Sequence, residues 1–122
     1  MTDRELLEAA AKAAGIEVYE STDGTVQNRP ILVFSAGGRM GTMPYEERWN
    51  PLTEDAQALR LAVKLGLVVC VMNEIQFTGI YLPAEHIGGK YDETQFHGDD
   101  PYAATRRAIV RAAAEIGKSI NP

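Results

Sequence analysis

Ala36-Gly37-Gly38-Arg39-Met40-Gly41 follows the apolar run Ile31-Leu32-Val33-Phe34 and has the strongest chemical capacity in this chain. Its glycines let backbone amides point into a concavity without Cβ clashes. Such nests of N–H groups hold anions, and the Arg39 guanidinium would add a bidentate contact to phosphate. Gly88-Gly89-Lys90 repeats the chemistry on a smaller scale. Neither segment reads Gly-x-Gly-x-x-Gly or ends in Gly-Lys-Ser/Thr, so an ordinary connector is the competing reading. Tyr45 and Trp49 offer flat rings for stacking on a base, although Trp49 could equally pin its loop onto the next helix. Arg107 and Arg111, four residues apart, share a helix face with Lys118 farther along. The expected ligand-binding set is therefore Gly37, Gly38, Arg39, Tyr45, Trp49, Lys90, Arg107 and Arg111.

Catalysis has less to work with. Cys70 sits in Val68-Val69-Cys70-Val71, where a thiol acts as a small core hydrophobe and stays protonated. His86 and His97 are the only histidines. Glu85 beside His86, or His97 with Asp99 and Asp100, could supply metal ligands, but no His-x-x-x-His or Cys-x-x-Cys spacing supports a metal site. An enzyme would need one of these histidines to meet an acid across a cleft. The expectation is a protein without catalytic residues, metal or cofactor.

These residues need elements to position them. Residues 3–14 read as a helix: Thr2 and Glu5 have capping-box spacing, Leu6, Leu7, Ala10 and Ala14 form a stripe, and Gly15 stops it. Strands are expected at Ile16–Tyr19, Thr25–Arg29 and Ile31–Phe34, with Asp23-Gly24 as a hairpin turn. Residues 35–52 read as loop. Thr53 then caps a second helix that Gly66 ends, with Glu54 and Asp55 at its positive end. Leu67–Met72 and Ile75–Leu82 are strands joined at Asn73-Glu74, and Gly79 marks a bulge or a close backbone approach. A last strand lies around Tyr91–Phe96. Asp100-Pro101 starts a third helix that Gly117 ends, on which Arg111 and Glu115 can pair. Tight turns imply antiparallel pairs, and apolar strands covered on both faces imply helices on both sides. The expected fold is α+β, a three-layer α-β-α sandwich with a mostly antiparallel sheet and three helices in one domain, residues 1–122. Each half reads as strands, a Gly-Gly-cation loop, a Tyr-acid pair and an Arg-bearing helix.

The composition is globular, 45% hydrophobic and 24% charged. No apolar run approaches the roughly 20 residues of a membrane span. The charged start is unlike a secretory signal, and the single cysteine points to a reducing cytoplasm. Net charge is −5, which argues against double-stranded nucleic acid as a partner. Residues 101–122 nevertheless carry 4 Lys and Arg against 1 acid.

Trp49-Asn50-Pro51-Leu52-Thr53, running into the second helix, and the helix from Pro101 to Gly117 resemble the phage ABA-sandwich domain family of small bacteriophage and prophage proteins. The resemblance implies a viral accessory protein working in the host bacterial cytoplasm. In that setting the residues suit a sponge that sequesters a phosphate-bearing ligand, such as a nucleotide second messenger of host immunity. An oligomer would help enclose it. The alternative is a protein–protein module that inhibits or recruits a host factor, using Met40, Met43, Tyr45 and Trp49 as its surface.

Overall fold

A computed structural model describes residues 1–26, 29–36, 45–82 and 91–120. In chain order the elements are α1 (Asp3–Ala13), β1 (Tyr19–Val26), β2 (Arg29–Ala36), β3 (Tyr45–Arg48), α2 (Asp55–Leu65), β4 (Val68–Met72), β5 (Phe77–Tyr81), β6 (Glu93–Phe96) and α3 (Pro101–Ile120).

The helix ends follow local chemistry. Thr2 Oγ1 accepts the Glu5 N–H at 3.1 Å, as the capping-box spacing implies. After α1, Gly15 takes φ +72°, which lets the Ile16 N–H reach the Ala11 carbonyl at 2.9 Å. Gly66 closes α2 in the left-handed conformation in the same way. Asp100 Oδ1 accepts the N–H groups of Tyr102 and Ala103, and Pro101 opens α3. Two boundaries differ from expectation. Thr53 does not cap α2. Its hydroxyl donates to the Asn50 carbonyl, inside a turn at residues 51–53, and Glu54 is the residue before the helix. Gly117 does not end α3, which continues to Ile120.

The strands form two separate antiparallel three-stranded sheets, β1-β2-β3 and β4-β5-β6. Asp23-Gly24 falls within β1 and is not the turn: the register with β2 shifts between Ser21 and Val26, and the strands pair as far as Val26↔Arg29. Tyr45–Arg48 is a strand inside the expected loop, paired to β2 from Ala36↔Tyr45 to Val33↔Arg48. In the second sheet, Val69 and Val71 stand opposite Ile80 and Thr78, and those opposite Glu93 and Gln95. Alternation places all six on the face that meets α3. Along β2 the adjacent Leu32 and Val33 are both buried, as its apolar run implied, whereas on β4 Val68 is 41% and Val71 50% exposed.

One core joins the elements. Leu6, Ala10 and Ala11 of α1, Leu32 of β2, Ala58 and Leu61 of α2, Ile80 of β5 and Ala108 to Val110 of α3 belong to a single buried cluster. Small side chains on α1 and α3 let these helices cross closely. A Cβ built on Gly117 would stand 1.9 Å from the Ala9 carbonyl oxygen, so no side chain fits there. Gly79 likewise lies under the Tyr91 ring, the close approach its position in a strand implied.

The two halves share an order: three strands as a meander, a short connection, then a helix. Trp49 and His97 occupy matching places, each directly after the third strand with its N–H bonded to a middle-strand carbonyl or the residue before that strand, Leu32 and Gln76 respectively.

Candidate ligand pocket

Trp49 supplies the floor of this pocket because the chain buries its ring between α1 and the first sheet. It is 3% exposed, its indole N–H donates to the Leu7 carbonyl at 2.8 Å, and Phe34 meets it edge-on at 5.8 Å. Gln57 locks the chain beside it, accepting the Asn50 N–H at 2.7 Å and donating to the Arg48 carbonyl at 2.6 Å. A cavity of about 220 Å³ remains next to the two rings, walled by Ala14, Ile16 and Leu61 and edged by Gln57, Arg60 and Lys64. Arg60 and Lys64 are a turn apart on α2, and among the described residues neither forms an ion pair. An apolar slot with two uncommitted cations at its mouth suits a flat apolar group attached to an anion.

The expected ligand residues are distributed differently. Gly37, Gly38, Arg39 and Lys90 lie outside the described residues, as do His86, Met40 and Met43. Tyr45 is exposed on β3. Trp49 is in the pocket, but its buried ring forms a wall and presents no open face for stacking. Its indole bonds α1 through the Leu7 carbonyl, while the residues on either side of it are bonded to Gln57 of the second helix.

Arg107, Arg111 and Lys118 do converge, as their spacing on α3 implied, around a cavity of about 330 Å³ with Glu93 and Glu115. Their charges are already met. Arg107 pairs with Asp3 at 3.0 Å, Arg111 with Glu93 at 3.6 Å and Gln95 at 3.2 Å, and Lys118 with Glu115 at 3.0 Å. Glu115 thus serves Lys118, and Arg111 reaches across to β6. Burial pushes the Glu93 carboxyl above its ordinary value, with Arg111 pulling the other way. A raised acid pKa in the folded state means that stability is greatest below the unfolded value and falls as pH rises through the folded one. Glu93→Gln should therefore stabilise the protein more at pH 7 than at pH 4, relative to wild type, in paired thermal melts. An equal effect at both values would show that Glu93 titrates normally.

His97 is buried and meets hydroxyls, with no acid in bonding range among the described residues. Its Nε2 lies 2.8 Å from Thr78 Oγ1, which lies 2.8 Å from Thr105 Oγ1. Cys70 is half-buried on β4. Among the described residues no cluster of three His, Cys, Asp or Glu side chains could hold a metal, and no helix is long and apolar enough to cross a membrane.

Sequence reasoning did not single out Arg60 and Lys64, which line this cavity, as candidate ligand residues. Their i,i+4 spacing matches that of Arg107 and Arg111, but only the fold shows which pair keeps its charge free. Comparison of the chain with family models, with curated proteins and with solved structures finds no match.

Proposed function

We propose that this protein works by binding, without catalysis, and captures a small anionic ligand carrying a flat apolar group in the Phe34–Trp49–Arg60–Lys64 pocket. The observation that carries this reading is an apolar slot beside Phe34 and Trp49 with two cations at its mouth that, among the described residues, have no ion-pair partner. A nucleotide has that chemistry: its base is flat and weakly hydrated, and its phosphate needs charge-assisted donors at the rim. The specific form of the reading is a phage counter-defence sponge that sequesters an immune nucleotide in the host cytoplasm, and it keeps the three-layer α-β-α arrangement implied by the family resemblance.

A thermal-shift screen against linear and cyclic nucleotides, including ADP-ribose derivatives, tests it. A ligand present at 100 times its dissociation constant stabilises the fold by about 2.7 kcal/mol. For a domain of this size that raises the midpoint by roughly 8–15 °C. Arg60→Ala and Lys64→Ala should each weaken binding about tenfold, the usual scale for one charge-assisted contact. Arg107→Ala should leave affinity unchanged, because Arg107 is committed to Asp3. Loss of binding in Arg107→Ala alone would move the site to α3. A flat panel would favour the host-factor module instead.

A further inference from the structure

Independently of the anion pocket, we infer that the groove on the other flank of α2 is a second small-molecule site, one that takes an uncharged, largely apolar alcohol. The groove encloses about 400 Å³ between α2, α3 and β4, within the usual size of ligand pockets. Its floor is Ala58, Ala62 and Ile109, all buried, and its rim is Leu59, Val71 and Tyr102, each at least half exposed. With about 100° per residue, Ala58, Leu59 and Ala62 lie about half a turn round α2 from Arg60 and Lys64. The helix therefore stands between the two cavities.

The polar lining sets the charge of the occupant. It consists of Asp55, Asn73, Thr105 and Arg106. Arg106 Nη1 pairs with Asp55 Oδ1 at 2.7 Å, and Arg106 Nε donates to the Leu52 carbonyl at 2.8 Å. The two charges in the described lining thus belong to one ion pair and leave no net charge. An ionic ligand would give up its hydration for apolar walls and find no unpaired counter-charge, whereas a neutral one loses little.

Thr105 supplies the specific contact. Thr78 is wholly buried, and alternation along β5 puts its side chain on the face that meets α3. Its Oγ1 lies 2.8 Å from Thr105 Oγ1 and 2.8 Å from His97 Nε2, so a chain of three groups runs from the groove wall to a buried imidazole. Two hydrogen bonds join these groups, and the Thr78 hydroxyl has a proton for only one of them. When His97 Nε2 carries a proton it donates to Thr78, Thr78 donates to Thr105, and the Thr105 proton is left for the groove. When Nε2 is bare the chain runs the other way, and Thr105 offers the groove its lone pairs. The imidazole tautomer decides whether the wall presents a donor or an acceptor. A ligand hydroxyl is both, so an alcohol satisfies Thr105 in either state, while a ketone or an ether satisfies only one.

Heteronuclear NMR titration of the full chain with octan-1-ol, octanoate and octylammonium tests the assignment, since the probes share a tail and differ in charge. Octan-1-ol is expected to move the amide signals of Leu59, Val71 and Thr105 saturably, with both ions binding more weakly. Thr105→Val should weaken octan-1-ol binding about tenfold, the scale of one hydrogen bond, and Thr105→Ser should restore it. Val71→Glu, a change at an exposed rim position, should abolish binding with the rest of the spectrum preserved, and it decides the matter if Thr105→Val does not fold. Arg60→Ala should leave octan-1-ol affinity unchanged, because Arg60 lines the other cavity. The absence of a saturable shift, equal affinity for the ions, or full affinity in folded Thr105→Val or in Val71→Glu would each overturn the proposal.

Discussion

Gly117→Ala is expected to lower the midpoint of thermal unfolding by roughly 10 °C, corresponding to a net loss of about 3 kcal/mol. The added methyl would stand 1.9 Å from the Ala9 carbonyl oxygen and 2.8 Å from its carbon. Those are backbone atoms within α1, so no rotamer change relieves the overlap, and α1 and α3 must separate. Separation loosens contacts all along the crossing, where Ala10, Ala113 and Ala114 are almost wholly buried. In an open helix the same change would stabilise by about 1 kcal/mol through helix propensity, so the expected sign is the reverse of the local one. Gly98→Ala is the matched control. Its φ of +63° costs a side chain about 1 kcal/mol, but the space around it is empty. A Gly117 variant as stable as wild type would show that the helices do not approach this closely.

Trp49→Ala is expected to cost about 3–5 kcal/mol, the range for deleting a large buried aromatic side chain. The ring is 3% exposed, packs edge-on to Phe34 and belongs to the core cluster shared by α1, β2, α2 and α3. Its N–H also ties the segment before α2 to the Leu7 carbonyl. Trp49→Phe separates these contributions. It retains most of the apolar volume and loses the hydrogen bond, for an expected loss of about 1 kcal/mol. If Trp49→Ala prevents folding, the milder variant still gives a measurable midpoint. A denaturant midpoint unchanged in both would place the ring in solvent. Because Trp49 also lines the cavity proposed to bind a ligand, that reading expects the Phe variant to fold and bind with reduced affinity, and Arg60→Ala to bind weakly at full stability.

Features written within a few residues were legible in the chain. The Thr2–Glu5 cap, the Gly15 and Gly66 stops and the Asp100-Pro101 start each depend on bonds between near neighbours, so residue type at fixed spacing was enough. Strand β4 was legible from its apolar run, and Gly79 from the oddity of a glycine inside a strand. Strand β3 was not, since Tyr-Glu-Glu-Arg has an irregular burial pattern and becomes a strand by pairing with β2. Thr53 was misread for a related reason: Pro51 is fully buried, and the Asn50–Thr53 turn it anchors uses the hydroxyl that would otherwise cap the helix.

The site divides along the same line. Sequence by itself determined that the chain carries cations at helical spacing, aromatic rings near a glycine-rich segment, and histidines and a cysteine without ligand spacing. It could not determine which cations are free. Arg107 is paired with Asp3, more than a hundred positions earlier, and Arg111 with Glu93 on β6 of the second sheet. Among the described residues Arg60 and Lys64 form no ion pair where α2 borders the cavity beside Trp49 and Phe34. Gly117 makes the same point for the fold: locally it reads as a helix stop, and only the neighbouring helix explains it. Charge compensation and close packing act between surfaces brought together from distant parts of the chain. Local spacing fixes the elements here, and their contacts decide what each residue is available to do.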